Sequence, residues 1–257
     1  MCQVDETDMG LSLLQRIEYR AGTVLPLSAR TARSRRGILS VTFDDFPRSA
    51  WQVGGELLGA VDGRATYYVA GRFHDTAVDG APYFTSRDLI DLVAAGHELG
   101  CHSFDHQSAL KVRLSSYMAS VRRNADFVSS ILPGYHLRSH AFPYGQVRVA
   151  NRLALRGKFA AQRGIETPRK LDRFDPTHLR AGALEARREG QIDWPRLIEE
   201  AARSGGWLVL FTHGLRSRPS PYDAQPKVLE GILRRAQNEG LEILPVGEAL
   251  DRVQAGP

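Results

Sequence analysis

The stretch SVTFDDFPRSA (residues 40–50) places two adjacent carboxylates, Asp44 and Asp45, where an apolar run ends. Neighbouring side chains on a strand point to opposite faces, so the two carboxylates either splay apart or share a site at the strand's end. Two carboxylates that share a site repel each other, which raises the pKa of one of them unless a cation lies between them. The stretch therefore predicts a buried strand and directs attention to a bound cation.

From Gly37 onwards, short β-rich runs alternate with amphipathic helical patterns. The predicted strands are ILSVTF, ATYYVA, HELGCHS, HAFPYG, LRAGAL, WLVLFTH and LEILPV. Between them, Ser86 is the predicted cap of the helix RDLIDLVAA, and Asp193 is a candidate cap for the helix that follows it. Such alternation predicts an α/β fold with a mostly parallel sheet, open or closed into a barrel. In both architectures a ligand site lies beyond the carboxyl ends of the strands.

Composition and charge narrow the class of protein. The chain has 257 residues, of which 42% are hydrophobic and 25% charged, and no apolar run has the length of about 20 residues that a membrane span needs. Its two cysteines make no disulfide framework, and no basic segment leads into an apolar core at the N-terminus, so we expect a cytoplasmic protein. The formal net charge of +5 comes largely from arginine clusters at residues 28–36 and 215–219. Because no base-reading element or stacking aromatic accompanies them, we expect no nucleic-acid partner. Solvated surface and linker charge is the first interpretation of these clusters, and attraction to an anionic substrate carrier is the second.

The stretch ELGCHSFDHQS holds two histidines, His102 and His106, four residues apart. A turn of this spacing can bring both imidazoles to one point, and Asp45 is the natural third ligand. Two imidazoles and a carboxylate with one open position are typical of a catalytic divalent-metal site. Zn²⁺ is the expected ion, although Co²⁺, Ni²⁺ and Mn²⁺ suit the same ligands. Each motif alone occurs more often as a core or surface feature, but their common position after predicted strands favours the metal site.

Four motifs together resemble the polysaccharide deacetylases, which are the NodB-homology group or carbohydrate esterase family 4. They are TFDD (residues 42–45), HSFDH (residues 102–106), FPYG (residues 142–145) and LVLFTH (residues 208–213). The resemblance implies a distorted, incomplete (β/α) barrel over residues 37–257, preceded by an N-terminal extension, residues 1–36. The segment from residue 217 to residue 250 is similar to the holdfast and exopolysaccharide deacetylase branch of the family.

The resemblance also implies a role for each matching residue. Asp44 would be the general base and His213 the general acid, while the backbone N–H of Tyr144 would help to hold the oxyanion. The implied metal ligands are Asp45, His102 and His106. The implied reaction removes acetyl groups from N-acetylhexosamine residues of a bacterial polysaccharide or of its lipid-linked precursor.

The chain departs from the family pattern at Ala141, where the third motif usually carries an arginine that orients the base. Arg138 and Arg180 are candidates to reach the same place from another backbone position, and the alternative is that both are solvated like most arginines of this basic chain. The acidic residue that usually tunes the catalytic histidine has no clear counterpart, since Asp193 resembles it only loosely and suits a helix cap equally well.

Three alternatives remain open from the sequence. The same site would serve an O-acetyl esterase or an amino-sugar deformylase, and Ala141 favours a catalytically silent glycan-binding homologue. The basic surface suits a lipid-linked diphosphate near an anionic membrane. The amphipathic segment LSLLQRI, or the C-terminal helix, would suit a homodimer.

Overall fold

The alternation of strands and helices builds one curled parallel sheet in a computed structural model, which describes residues 10–32 and 34–255. The strands are β1 (Arg30–Thr31), β2 (Ile38–Asp44), β3 (Thr66–Val69), β4 (Ala77–Val78), β5 (Ala81–Pro82), β6 (Glu98–Cys101), β7 (Ser139–Ala141), β8 (Ala161–Arg163), β9 (Arg173–Phe174), β10 (Gly182–Ala183), β11 (Trp207–Thr212) and β12 (Glu242–Ile243). The helices are α1 (Leu13–Val24), α2 (Arg48–Gln52), α3 (Gly54–Gly59), α4 (Ser86–Ala94), α5 (Leu114–Ile131), α6 (Val149–Leu155), α7 (Trp194–Ser204), α8 (Pro226–Asn238) and α9 (Val246–Ala255).

The main sheet runs in the order β10-β11-β2-β3-β6-β7-β8, and β12 pairs with the first half of β2. Every pairing in this sheet is parallel. The end strands β8 and β10 do not pair with each other, and residues 176–179 lie beside β8 through backbone hydrogen bonds. The predicted α/β class and the incomplete barrel are therefore confirmed.

Strand β2 lies at the centre of this sheet and all seven of its residues are buried. A strand covered on both faces takes a nearly continuous apolar sequence, which is why ILSVTF was recognisable. It pairs with β11 from Ile38 to Phe43 and with β3 along its second half, where Asp44 is in register with Tyr68. Asp44 and Asp45 therefore lie at the carboxyl edge of the sheet, where β2 ends.

Helix termini follow local capping rules, with one correction to the prediction. Helix α4 is capped by Thr85, not by Ser86, because the Thr85 side chain accepts from the N–H of Asp88 while the Asp88 carboxylate accepts from the N–H of Thr85. The prediction for Asp193 is confirmed, since its Oδ1 accepts from the N–H of Arg196 at 3.1 Å. Among the described residues, no helix has both the length and the apolar character that a membrane span requires.

The predicted N-terminal extension contributes helix α1, which packs on α6. The buried guanidinium of Arg152 on α6 donates to the carbonyl oxygens of Gly22 and Leu25 and to the carboxylate of Asp175. Residues 1–9 and Arg33 of this predicted extension lie outside the described residues. The buried arginine therefore fastens the extension to the barrel.

Candidate metal-dependent active site

The residues singled out in the sequence converge at the carboxyl edge of the sheet. Asp44 ends β2 and Asp45 follows it, the two histidines follow β6, Tyr144 follows β7, and His213 follows β11. Parallel strands bring their carboxyl ends to one edge, so residues far apart in the chain meet there.

Three atoms meet at the centre of this edge: Oδ1 of Asp45 and Nε2 of His102 and His106. The carboxylate oxygen lies 3.5 Å from His102 Nε2 and 3.0 Å from His106 Nε2. The three ligand atoms lie within 4.8 Å of one another. Oδ1 is buried and makes no hydrogen bond with a described residue. A buried oxygen without a partner, facing two ring nitrogens, fits a site for a divalent metal ion.

The electrostatics of this group favour ligand atoms with free lone pairs. Burial lowers the pKa of His102 to about 4, so its ring is neutral at physiological pH. Its Nδ1–H donates to the carbonyl oxygen of Ala141 at 2.8 Å, which directs the Nε2 lone pair towards Asp45. Burial alone would raise the pKa of Asp45, but His106, His102 and His213 together lower it below its ordinary value. A carboxylate beside imidazole nitrogens is the donor set that Zn²⁺ and its first-row neighbours prefer.

The backbone around the site is strained in several places. Five residues that are not glycine have positive φ angles there: Asp45 (57°), Phe46 (63°), Ser103 (53°), His106 (48°) and Tyr144 (60°). Such left-handed conformations cost free energy for residues with a Cβ and concentrate at functional sites. In the loops after β2, β6 and β7 they turn the chain sharply at the strand ends.

The cation that contacts Asp44 is Arg163, which the sequence analysis did not identify. The guanidinium of Arg163 donates to Oδ1 of Asp44 in a buried ion pair. The arginine is fully buried and lies between two aromatic rings, with its guanidinium carbon 5.1 Å from the ring centre of Tyr68 and 4.9 Å from that of Phe211. Arg163 is in register with Ala141 on the adjacent strand. An arginine on β8 therefore occupies the space that the small Ala141 leaves free.

The two arginines expected at this place lie elsewhere, so that expectation was wrong. Arg138 donates two hydrogen bonds, of 2.9 and 2.8 Å, to the carboxylate of Asp251. Arg180 lines a separate cavity and makes no ion pair with a described residue. Both belong to surface or boundary positions, whereas Arg163 ends a strand that points at the site.

His213, which follows β11, lies beside the candidate metal ligands Asp45, His102 and His106. Its Nε2 lies 4.0 Å from Oδ2 of Asp45, while its Nδ1 lies 3.3 Å from the carbonyl oxygen of Tyr222. Because a carbonyl oxygen only accepts, Nδ1 carries the proton in the neutral ring. Oε1 of Glu185, which is buried and has no hydrogen-bond partner among the described residues, lies 3.7 Å from the same Nδ1. This carboxylate is positioned to stabilise a protonated His213 ring.

Two exposed tyrosines border the group. The ring of Tyr144 is 56% exposed and lies 4.7 Å from that of His106, and the ring of Tyr222 is 48% exposed and lies 5.7 Å from that of His213. The backbone N–H of Tyr144 donates to no described residue. It is therefore available to a bound molecule, and the exposed rings offer flat apolar surface beside it.

A family model described as polysaccharide deacetylase matches residues 31–158 of the chain, a segment that includes Asp44, Asp45, His102, His106 and Tyr144. The chain belongs to the polysaccharide deacetylase family. This family acts on acetylated polysaccharides and generally depends on a divalent metal ion.

Solved structures of the family share the fold of this chain at low sequence identity. The peptidoglycan deacetylase PdaC from Bacillus subtilis is 16% identical, with a TM-score of 0.54 over 86% of this chain and 93% of that one. A family 4 carbohydrate esterase from Streptomyces lividans is 16% identical, with a TM-score of 0.54 over 80% and 90%. A CE4 family pseudoenzyme from Bacillus anthracis is 13% identical, with a TM-score of 0.56 over 89% and 70%. No curated protein matches the chain.

Arg163 and Glu185 were not among the site residues predicted from the sequence, for different reasons. Strand β8 has only three residues and no apolar run, so its terminal arginine had no predicted strand to mark it. Glu185, in contrast, directly follows the predicted strand LRAGAL, and the rule that polar residues after strands form the site would have found it. Two further residues near these strands have structural roles. Burial raises the pKa of the Cys101 thiol to about 11, and the buried Trp207 donates to Ser40 Oγ.

Proposed function

We propose that this protein is a metal-dependent N-deacetylase that removes acetyl groups from N-acetylhexosamine residues of a bacterial exopolysaccharide or adhesin. The observation that carries the proposal is the convergence of Asp45, His102 and His106 on one buried point, with His213 Nε2 4.0 Å from Asp45 and with Asp44 preceding Asp45 at the end of β2. In this proposal Asp45, His102 and His106 hold the ion. A divalent ion at this place would act as a Lewis acid on the acyl oxygen and lower the pKa of a nearby water.

The protein's own residues then move the protons. Asp44 accepts the proton of the water that attacks the acetyl carbon, and its buried pair with Arg163 holds the carboxylate in a fixed orientation. The N–H of Tyr144 donates to the oxyanion as it forms, a contact typically worth about 3 kcal/mol of barrier. His213 donates a proton from Nε2 to the leaving amine as the C–N bond breaks. Acetate and a free amino sugar are the products, with no covalent enzyme intermediate.

The decisive experiment combines elemental analysis with acetate release from an N-acetylated chitooligosaccharide. We expect the purified protein to contain one equivalent of a divalent metal, and a chelator to abolish the activity. The Asp44→Asn variant should keep the metal and lose about a hundredfold or more of the rate. The His102→Ala variant should lose both the metal and the activity. An Asp44→Asn variant with unchanged turnover would refute the assignment of the base.

The same site would also catalyse O-deacetylation or deformylation, so substrate profiling is part of the test. Acetate release from acetylated xylan without release from chitooligosaccharide would support the esterase, and formate release from an N-formyl amino sugar would support the deformylase. The third alternative is a silent glycan-binding homologue, and the fold alone does not exclude it because one structural relative is a pseudoenzyme. Arg163 supports an active site, because it supplies the cation that the change to Ala141 removed.

The proposal extends to the form of the substrate and to association. A lipid-linked precursor is the alternative substrate to the finished polymer, and the holdfast branch is the proposed position within the family. Helix α1 and the turn after it expose five aliphatic side chains, Leu13, Leu14, Ile17, Val24 and Leu25. We infer a homodimer through this face. Sedimentation velocity of the protein and of a Leu14→Ser variant tests it, and a monomer that binds anionic vesicles would support membrane proximity instead.

A further inference from the structure

A cavity of about 170 Å³ lies between the chain that follows α1 and strand β9. It contains none of the residues assigned to the deacetylase site. Two of its lining residues, Trp207 and Val209, belong to the first half of β11, whereas His213 follows the end of that strand. The cavity therefore lies towards the amino ends of the barrel strands, away from the candidate metal ligands.

Four cationic side chains and one carboxylate line this cavity: Arg152, Lys170, Arg173, Arg180 and Asp175. Both oxygens of the Asp175 carboxylate already accept hydrogen bonds within the protein. The carboxylate accepts from the Arg152 guanidinium, from the backbone N–H groups of residues 27 and 28, and from both the N–H and the hydroxyl of Thr177. The charges of Arg152 and Asp175 therefore cancel.

The other three cations, Lys170, Arg173 and Arg180, form no ion pair with any described residue. Three like charges around one small cavity repel each other, and no acidic side chain within the cavity is left to offset them. The field of Arg180 already extends to Glu166, whose pKa is held below its ordinary value by His178 and Arg180 against the effect of burial. The lining of the cavity thus carries an excess of positive charge, with Lys170 and Arg173 at its exposed rim and Arg180 half-buried.

A second, independent feature is an orphaned ring nitrogen. His178 lines the cavity and is buried, with its Nε2 2.7 Å from Oε2 of Glu166. Its Nδ1 is also buried and has no hydrogen-bond partner among the described residues. Buried polar atoms in native proteins almost always have a partner, which here would have to come from a bound molecule or water. When the ring is protonated beside Glu166, Nδ1–H becomes a donor for an anion.

The remaining walls are apolar, and include Leu25, Phe174, Leu179 and Trp207. Apolar walls exclude water and so strengthen the attraction between the cations and a bound anion. The volume is below the several hundred Å³ of a pocket that encloses a whole drug-sized ligand. It suits a compact anion that carries more than one charge.

We propose that this cavity binds a phosphate group, contributed either by a soluble phosphorylated compound or by a lipid headgroup. Lys170, Arg173 and Arg180 provide the charge, and the unpartnered Nδ1 of His178 provides a polar contact on a buried, fixed ring. Because residues 23–26 form one wall, an occupied cavity also holds the N-terminal extension against the barrel. This binding does not depend on the proposed deacetylase activity.

Isothermal titration of the full chain with inorganic phosphate and with pyrophosphate, at physiological salt, tests the proposal. We expect the Lys170→Ala/Arg173→Ala double variant to bind pyrophosphate about tenfold more weakly than the unmodified protein. The matched control is Arg122→Ala/Arg203→Ala, which removes the same charge from exposed positions on α5 and α7 and should bind normally. His178→Gln should also weaken binding, and circular dichroism verifies that each variant is folded.

A vesicle arm separates the two sources of phosphate. Co-sedimentation with phosphatidic acid vesicles, compared with phosphatidylcholine vesicles, would assign the site to a headgroup when the Lys170→Ala/Arg173→Ala variant loses the interaction. Pyrophosphate binding without vesicle binding would assign it to a soluble compound. An equal loss of affinity in the control double variant, or no binding of either phosphate probe or of the vesicles, would overturn the proposal.

Discussion

Arg163 on β8 makes the ion pair with Asp44 that the family's motif arginine would make from the position of Ala141 on β7. The two residues are in register on adjacent parallel strands, so their side chains leave the sheet on the same face. A guanidinium that starts from β8 therefore reaches the same carboxylate as one that would start from β7. The buried pair is held by Tyr68 and Phe211, whose rings lie on either side of the guanidinium.

This exchange of position predicts a rescue experiment. Arg163→Ala should lower kcat/KM for acetate release by about a hundredfold, because a small displacement of the base is costly. Restoring an arginine with Ala141→Arg in the Arg163→Ala background should recover a large part of that loss. Breaking a buried ion pair costs about 3–5 kcal/mol, so the melting temperature of each variant is measured alongside. Arg138→Ala, which removes a surface pair with Asp251, is the control and should leave turnover unchanged.

Glu185 is the second residue whose role follows from its position. Its Oε1 has no hydrogen-bond partner among the described residues and lies 3.7 Å from Nδ1 of His213. We expect Glu185→Gln to lower kcat by at least about tenfold with little change in KM or metal content, because the carboxylate favours the protonated ring. Asp193→Asn, the weaker candidate from the sequence, should leave kcat intact, since Asp193 caps α7. The reverse order of effects would contradict this assignment.

At the level of elements, helix α1 is held by charge. Asp175 accepts five hydrogen bonds that link residues 27 and 28, Arg152 and Thr177. Burial would raise the pKa of Asp175, but the hydrogen bonds from Thr177, Ser28 and Leu27 lower it below 3.8. A lowered pKa means that the folded state binds this proton less readily than the unfolded state. The carboxylate therefore stabilises the fold above pH 3.8, and this contribution is lost as the pH falls below that value.

The prediction for this contact is a pH-dependent loosening of α1. The protection factors of the α1 amides, which correct for the intrinsic pH dependence of exchange, should fall below about pH 4, while those of the β2 amides are retained. Asp175→Asn should loosen α1 at neutral pH and remove most of the acid dependence. Arg87→Ala, which breaks an exposed pair on α4, is the control. Equal exchange of the α1 amides in the Asp175→Asn variant and the parent protein would show that the hydrogen bonds of Asp175 do not hold α1 in place.

For the whole molecule, buried histidines determine the stability in mild acid. Burial lowers the pKa of His97 from 6.5 to about 4, and its Nδ1 accepts from the N–H of Ala65 at 3.0 Å. Burial also lowers the pKa of His140, which contacts Tyr117. Between these values the unfolded chain binds protons that the folded chain does not. The free energy of unfolding is thus greatest above pH 6.5 and declines as the pH falls from 6.5 towards 4.

Urea unfolding across this pH range measures the decline. His97→Gln should flatten it, because the variant has no ring to protonate in the unfolded state. His136→Gln, in the loop before β7, is the control and should keep the slope of the parent protein. Identical slopes in the His97→Gln variant and the parent protein would show that acid unfolding begins elsewhere.

The fold class, and the residues that gather at the carboxyl edge, could be predicted from the sequence. Long buried strands such as β2 and β11 have apolar runs that end in polar residues, so both the strand and the position of its first polar side chain are legible. The structure brings Asp44, Asp45, His102, His106 and His213 together as those motifs indicated. Their roles, and the boundary at residue 36, remain predictions.

Which charged side chains contact those residues follows only from how distant segments of the chain fold together. Arg163 ends a strand of three residues, which is too short to leave a periodic pattern, and its partnership with Asp44 depends on the order of strands across the barrel. The cavity around Arg173 and Arg180 likewise forms between segments that are distant in sequence. Local sequence encodes what a side chain can do, but burial and neighbouring charges, which decide what it does, arise only when separate strands are brought together.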